Sequence, residues 1–448
     1  MDTDVRMTWT CVVLAAVLAG TPVVARDGPP ATALAPGTML DQRTAHLATD
    51  LLPPEILAHY EKGEYANEIA DWPMDVYTWP PDFLAASKSN EARYAVAPEG
   101  HIVEQASGTQ PEYVIGFPFP TIDPSDPAAG SKILWNHLYR TWYFGNLRAE
   151  SQLNMISPKG LARRLDVDAN FLYFDGVPAA ERTENTSNFL VKFLTLVTRP
   201  ADVNGTAALT WRYREPSKRD SAWTYVPALR RVRAISPANR SDGFLGSDFA
   251  QDDGNFFEGK PEDFTWKLVG EKDQLRLADP YNLAGKSDNR WVKDGGGWNA
   301  MWPDLPFLGY MDPEWKGVGW APRTAVLATR RFWVIEGVPK DRYYLFGRLQ
   351  LYIDKVAYQG AWNRKFSWKD ELVITYQVMA YNPHAVARPD GGTDYVQGSS
   401  MAFQTAEAIK LNRATAAGIK TTPHSVFHLR VKFDESRFDL DKLAQSGK

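Results

Sequence analysis

The clearest alternation of apolar and polar residues in this chain lies between Ala207 and Arg214. Three large apolar residues alternate there with three polar ones, in the order Leu209, Thr210, Trp211, Arg212, Tyr213 and Arg214. Because successive side chains of a β-strand point to opposite faces of a sheet, this pattern predicts a strand with one buried face. The other face, which carries Thr210 and the two arginines, is predicted to be exposed to water.

Other segments rich in β-branched and aromatic residues predict further strands, each bounded by turn residues. They cover residues 171–174, 189–198, 223–226, 264–273, 325–336, 343–358, 371–381 and 424–433. In the strand that contains Trp223 and Tyr225, these two side chains share one face. Leu372, Ile374 and Tyr376 share one face of another predicted strand.

Helical spacing of apolar residues is confined to short segments. It occurs within residues 41–70, where one helix is predicted to begin at Pro53 and Pro54, at 131–139 and at 402–411. Many strands and few long helices predict a mainly β protein, in which helical segments pack on one curved antiparallel sheet.

The N-terminus predicts export from the cytoplasm. Residues 1–25 combine a basic Arg6, a short apolar run at 11–18 and small residues at Val23 and Ala25, which is the pattern of a secretory signal peptide. The run is shorter than the roughly 20 residues that span a membrane. We therefore predict a periplasmic protein. Residues 26–40 are predicted to be a disordered leader, and residues 41–130 a helical and loop-rich segment. Residues 131–448 are predicted to form the β domain, with a Gly/Trp-rich insert at about 274–322.

Composition narrows the function classes. The formal net charge of −4 gives no reason to expect a nucleic-acid partner. Cys11 is the only cysteine and lies within the predicted signal peptide, so we expect neither disulfides nor thiol catalysis in the mature chain. The 16 tryptophans are typical of dense cores or of ligand grooves.

Motifs for metal binding and for common catalytic sites are incomplete. Asp166, Asp168 and Asn170 imitate the start of a calcium-binding loop, but Phe171 replaces its glycine and Val177 its bidentate glutamate. A turn or strand-edge cluster is the better interpretation. The chain also lacks a nucleophile elbow and a dinucleotide-binding glycine motif. We predict no cofactor.

Two further groups of residues are candidate metal sites. Asp248, Asp252 and Asp253 suggest a flexible cation loop, but without a bidentate spacing a solvated acidic turn is favoured. His424 and His428 lie on a predicted strand, where a spacing of four holds them too far apart for one metal ion. We predict no metal site.

Arg230, Arg231 and Arg233 allow two interpretations. They could bind an anionic headgroup or a carboxylate through bidentate contacts. The favoured alternative places them on the wet face of a strand, paired with the acidic loop after Gly246.

Several of these segments together resemble a known family. The sequence Trp-x-Tyr-x-Pro at 223–227, followed by Arg-Arg-Val-Arg at 230–233 and Gly-Ser-Asp-Phe at 246–249, resembles the LolA-like proteins, which are periplasmic carriers of lipids and lipoproteins. The runs GFPFPTIDPSDPAAGSKILWNHL at 116–138 and RLQLYIDK at 348–355 resemble one bacterial branch, the domain-of-unknown-function 1329 family. The resemblance extends from about residue 40 to the FDLDKL sequence near the C-terminus. It implies an open antiparallel β half-barrel whose concave side is covered by helices and loops.

We predict a non-enzymatic periplasmic carrier or binding protein for a hydrophobic small molecule or lipid. By analogy, the resemblance implies an inner-membrane transporter or an outer-membrane protein as a partner. The predicted ligand-contacting residues lie on apolar faces of predicted strands: Leu209, Trp211, Tyr213, Trp223, Tyr225, Phe332, Leu372, Ile374 and Tyr376. One alternative is an exported hydrolase that acts on a glycan or lipid through a carboxylate pair. Another is a structural envelope module whose pocket is filled by its own side chains.

Overall fold

The computed structural model describes residues 34–72, 79–254, 256–278, 291–294, 297–300, 308–380, 384–387, 391–396, 401–419 and 427–446. Its helices are α1 (Pro54–Glu61), α2 (Pro81–Ser89), α3 (Ala129–Trp142) and α4 (Leu440–Ser446). Both α1 and α2 begin with a proline that follows another proline, since a first helical residue needs no N–H bond within the helix. The predictions of a helix after Pro53 and of another at 131–139 are confirmed by α1 and α3.

Strands make up most of the regular structure. They are β1 (Met39–Leu40), β2 (Asn67–Glu68), β3 (Tyr94–Val96), β4 (Ile102–Glu104), β5 (Leu147–Ser157), β6 (Gly160–Tyr173), β7 (Phe189–Arg199), β8 (Ala207–Tyr213), β9 (Ser221–Val226), β10 (Arg231–Ile235), β11 (Phe264–Ala278), β12 (Trp291–Asp294), β13 (Gly297–Ala300), β14 (Val326–Pro339), β15 (Arg348–Asp354), β16 (Gly360–Phe366), β17 (Leu372–Ala380), β18 (His384–Ala387), β19 (Thr393–Val396), β20 (Met401–Ala408), β21 (Arg413–Ile419) and β22 (Phe427–Leu429).

One large sheet dominates the described part of the chain. Its strands pair antiparallel in the order β10, β9, β8, β7, β6, β5, β21, β20, β17, β16, β15, β14 and β11. Strand β11 meets β17 again through one parallel pair, Ala278 and Ala380. Among the described strands β10 pairs with β9 alone, so the sheet has an open edge there. The prediction of a mainly β fold around an open antiparallel sheet is confirmed.

The structure differs from the sequence prediction near the C-terminus and covers only part of the predicted insert. The helix predicted at 402–411 is wrong, because residues 401–408 form β20, paired with β17 on one side and with β21 on the other. Alanine and glutamate favour a helix there, but pairing on both sides overrides that local preference. The predicted insert begins inside β11, which continues to Ala278, and much of it (279–290 and 301–307) lies outside the described residues, as does the predicted signal peptide.

Both faces of the sheet are covered at β8. On the face that carries Leu209 of β8, this residue packs in one cluster with Phe438 and Leu443 of the C-terminal segment. Farther along the same face, His59 of α1 contacts Glu407 of β20 at 2.8 Å. The other face of β8 lies under the segment that follows β10, because Gln251 donates to the Thr210 hydroxyl and Arg212 donates to the Glu258 carbonyl.

The prediction of a wet face on β8 is therefore wrong. Thr210, Arg212 and Arg214 are buried, and Arg212 is only 2% exposed. The buried guanidinium groups are satisfied by carboxylates, because Arg212 donates to Asp220 at 2.8 Å and Arg214 is paired with Asp175.

No helix in the described ranges is long and apolar enough to cross a membrane.

Candidate ligand-binding site

The face of the sheet opposite Leu209 forms the floor of a cavity of about 420 Å³. The floor residues occupy every second position of neighbouring strands: Leu147, Ala149, Ser151 and Leu153 of β5, Val167, Ala169 and Phe171 of β6, Phe193 and Thr195 of β7, Ala208 and Thr210 of β8, and Thr224 of β9. Because alternate residues of a strand share a face, these small and apolar residues form one continuous surface. Gln404, Ala417 and Gly418 of β20 and β21 extend it.

Residues 235–254, named the roof segment from here on, form the opposite wall of the cavity. The segment folds back on itself, since the Phe244 N–H donates to the Phe249 carbonyl at 2.8 Å. Glycine is required at position 243, because a Cβ there would lie 1.9 Å from the Ser247 carbonyl oxygen. This closed turn holds the side chains of Phe244 and Leu245 against the cavity.

Asp248 joins the roof segment to the sheet. Its carboxylate accepts hydrogen bonds from Arg413 at 2.9 Å and from the Thr415 hydroxyl at 2.8 Å, and both residues belong to β21. The Asp248 N–H also donates to the Thr415 hydroxyl at 3.0 Å. Asp248 belongs to the Gly-Ser-Asp-Phe motif at 246–249, so this motif fixes one wall of the cavity in place.

A buried ion-pair network holds the roof segment near its two ends. Arg240 donates to Asp252 at 2.9 Å and contacts Asp263 at 2.7 Å. The Tyr344 hydroxyl donates to Asp252 at 2.9 Å. Burial raises the pKa of Asp252, although Arg240 acts against this shift. Burial also acts to raise the pKa of Asp220, but the neighbouring Arg212 and Arg240 lower it overall. The network therefore keeps charges paired inside the fold.

Three of the four acidic residues of the roof segment are shielded from solvent. Asp248, Asp252 and Asp253 are all buried, and Asp253 forms an ion pair with Lys365 of β16. The interpretation of these residues as a solvated turn is therefore wrong, because each carboxylate has a basic partner: Arg413 for Asp248, Arg240 for Asp252 and Lys365 for Asp253. Among the described residues, no group of three or more His, Cys, Asp or Glu side chains is arranged to hold a metal ion.

Amide side chains of the lining are tied to neighbouring groups. Gln404 donates to the Gly254 carbonyl at 3.2 Å, and Asn239 donates to Asp242 at 2.9 Å. Gln251 donates to the Thr210 hydroxyl. With these groups engaged, most of the surface left for a ligand is apolar, which suits the burial of a hydrocarbon group.

Five of the nine predicted ligand-contacting residues lie on the sheet face opposite the cavity. They are Leu209, Trp211, Tyr213, Trp223 and Tyr225, which pack in one cluster with Phe438 and Leu443. The Trp211 indole N–H donates to the Phe438 carbonyl at 2.9 Å. The structure thus brings these five together, beneath the C-terminal segment.

The other four predicted residues belong to β14 and β17. Tyr376 lies behind the roof segment, where its hydroxyl donates to the Asp253 carbonyl at 2.9 Å and its ring packs against Phe249. Phe332 and Ile374 are buried in the main core, whereas Leu372 is partly exposed. None of the nine is among the described residues that line the cavity. Their role in ligand contact stays a prediction.

Three motifs of the sequence lie outside the described cavity lining. Arg230, Arg231 and Arg233 are exposed and form no ion pair with a described residue, so their predicted pairing with the acidic loop is wrong. Asp168, from the sequence that imitates a calcium loop, lies on β6 and accepts from Arg148 at 2.9 Å. His428 lies on β22, and His424 falls outside the described residues.

A sequence signal for the cavity floor exists in β5. Leu147, Ala149, Ser151 and Leu153 alternate there with Arg148, Glu150, Gln152 and Asn154. This is the same period of two that identifies β8, but serine and alanine make its inner face less apolar. The residues of the roof segment carry no such period, and only the fold brings them to the cavity.

The sequence matches, over residues 41–443, a family described as protein of unknown function (DUF1329). Among solved structures, the chain is similar to a putative outer membrane lipoprotein-sorting protein domain from Vibrio parahaemolyticus, with 17% identity over 71% of this chain and 100% of that chain and a TM-score of 0.44. It is similar to a DUF1329 family protein from Desulfovibrio piger ATCC 29098, with 16% identity over 71% and 100% and a TM-score of 0.46. A LolA superfamily protein from Nitrosomonas europaea shows 11% identity over 70% and 98%, with a TM-score of 0.39. No curated protein matches the chain.

Proposed function

The chain belongs to the DUF1329 family, and we propose that it is a periplasmic binding or carrier protein that holds a lipid-like hydrophobic ligand between the sheet and the roof segment. The observation that carries this proposal is the cavity of about 420 Å³ with a mostly apolar lining. Its volume lies within the roughly 300–1,000 Å³ of small-molecule sites. A structural module filled by its own side chains predicts no such space.

The driving force for binding is the removal of hydrocarbon from water. Each buried methylene group contributes about 0.8 kcal/mol, so a chain of about ten groups gains roughly 8 kcal/mol. Loss of ligand freedom offsets part of this gain. The roof segment adds to the affinity because its ion pairs hold the wall in place before the ligand arrives. Delivery then needs a partner that binds the same ligand more favourably, for which we propose an inner-membrane transporter or an outer-membrane protein.

The described lining gives less support to hydrolysis by a carboxylate pair. Such a reaction needs two carboxylates that flank the bond to be cleaved. Asp242 and Asp253 are the carboxylates of the described lining. Asp253 is committed to Lys365 and also accepts from the Ala250 N–H at 2.8 Å. Asp242, which accepts from Asn239, is the other carboxylate of the described lining, and it has no second available carboxylate beside it for acid–base work.

The first experiment is native mass spectrometry with lipid extraction on protein purified from the periplasm. We expect a co-purified hydrophobic molecule. The matched variants are Ala169→Phe, which fills the cavity from its floor, and Ala85→Phe, which places the same ring on the exposed surface of α2. Ala169→Phe should lower the bound fraction severalfold, and Ala85→Phe should leave it unchanged. If the protein is empty and also fails to bind a fluorescent apolar probe, the proposal is wrong.

A further inference from the structure

A row of arginines extends from the cavity along the open edge of the sheet. On β10, Ile235 lines the cavity, and Arg233 and Arg231 follow at steps of two residues, which correspond to about 7 Å each. In the antiparallel pairing of β10 with β9, Arg233 lies directly opposite Thr224, which also lines the cavity. Because directly opposed residues of neighbouring strands share a face, Arg233 and Arg231 lie on the cavity face.

These arginines retain their capacity for new ion pairs. Both are exposed, and neither forms an ion pair with a described residue. The nearby acids of the roof segment are already engaged, since Asp248 binds Arg413 and Asp252 binds Arg240. Asp242 is exposed and lies in the lining, where it accepts from Asn239. Arg231, Arg233 and Asp242 form what we call the rim of the cavity. With two arginines and one aspartate, this rim carries a net positive charge.

We propose that the ligand is an amphiphile with an anionic headgroup, a carboxylate or a phosphate, which Arg231 and Arg233 bind at the rim while its apolar chain lies in the cavity. This inference rests on the proposed function and adds the chemical class of the ligand. The planar guanidinium group matches both anions through paired hydrogen bonds, and it is the side chain best suited to this contact. The exposed position makes the contribution moderate and sensitive to salt.

The test compares a long-chain fatty acid with its methyl ester at pH 7.5, by titration calorimetry on the mature chain. Both probes carry the same apolar chain, and only the acid carries a charge. We expect the acid to bind about tenfold more tightly than the ester. Arg231→Gln/Arg233→Gln should remove this difference and leave the affinity for the ester unchanged. Arg231→Lys/Arg233→Lys should retain part of it and shows that loss of charge is the cause.

The matched control is Lys272→Gln/Arg342→Gln, which removes two exposed positive charges outside the cavity lining. It should leave both affinities unchanged. Inorganic phosphate alone should not compete with the acid at millimolar concentration, and competition would mean a plain anion site and overturn the inference. Equal affinities of wild type for acid and ester would overturn the inference while the proposed function stands. If neither probe binds, both are wrong.

Discussion

Arg240 donates a 2.9 Å hydrogen bond through its Nε to Oδ2 of Asp252, and these two buried residues lie near opposite ends of the roof segment. The bond joins two residues that are twelve positions apart, on either side of the turn that presents Phe244 and Leu245 to the cavity. A wall made of a loop, with no regular pairing along most of its length, thereby gains a fixed position. Pre-organisation of this kind lowers the entropic cost of ligand binding.

The first prediction concerns this bond. Arg240→Met leaves Asp252 and Asp263 as buried or half-buried acids without their guanidinium partner, so we expect the free energy of unfolding to fall by about 3 kcal/mol. Asp252→Asn should lower the free energy of unfolding by a similar amount. The double variant should lose less than the sum of the two single losses. Urea denaturation measures these changes. The control is Arg219→Met, which breaks an exposed pair with Asp341 and should cost less than about 1 kcal/mol. Equal losses at Arg240 and Arg219 would contradict the structural role of the network.

The second prediction is a pH dependence that arises at Glu262. Burial raises the pKa of this carboxyl from 4.5 to about 7, and its Oε2 has no hydrogen-bond partner among the described residues. The folded protein therefore holds a proton that the unfolded chain releases above pH 4.5. Stability should fall as the pH rises from about 4.5 to 7, by roughly 3 kcal/mol. Glu262→Gln should abolish this fall, whereas Glu91→Gln on the surface should retain it. Thermal unfolding at several pH values tests the prediction. It is refuted if stability depends on pH in the same way in the wild type, in Glu262→Gln and in Glu91→Gln.

The third prediction concerns His59, which joins α1 to β20. Its Nδ1 lies 2.7 Å from Glu64 and its Nε2 lies 2.8 Å from Glu407. Burial acts to lower the pKa of His59, but the two glutamates raise it overall above its ordinary value of 6.5. Because its pKa is raised in the folded protein, the ion pairs of His59 contribute fully to stability below pH 6.5. This contribution is lost as the pH rises through the pKa of His59 in the folded state. His59→Gln should therefore destabilise the protein most at pH 5–6 and least above pH 8. The exposed His46→Gln is the control, and a pH-independent loss at His59 would show that packing alone is responsible.

The sequence pattern could predict which residues of β8 share a face, but not which face borders a cavity. Alternation groups Leu209 with Trp211, and the large apolar residues are the natural choice for a ligand surface. In the structure these residues are covered by the C-terminal segment, more than 200 positions away in the chain, and the smaller residues Ala208 and Thr210 line the cavity instead. Because the covering segment lies so far away in the sequence, the alternation of residues within β8 does not reveal that this face is covered. The same limit applies to Arg212, which is buried under the segment after β10 and donates to the Glu258 carbonyl, 46 positions away.

The last prediction separates the two faces at neighbouring positions of β8. Leu209 is 1% exposed and packed among aromatic residues, so Leu209→Asp buries a charge without a partner and should destabilise the protein by more than about 4 kcal/mol. Ala208 is partly exposed in the cavity, where an aspartate keeps contact with water. Ala208→Asp should therefore leave the protein folded, with a loss of about 1 kcal/mol or less, because only a surface-like position is changed. It should nevertheless reduce the binding of a fluorescent apolar probe at least tenfold, since a carboxylate on the floor makes burial of hydrocarbon unfavourable. Circular dichroism and probe titration measure the two effects on the same samples. If Ala208→Asp binds the probe as wild type does, the cavity described here is not the binding site, and the face that carries Leu209 becomes the one to test.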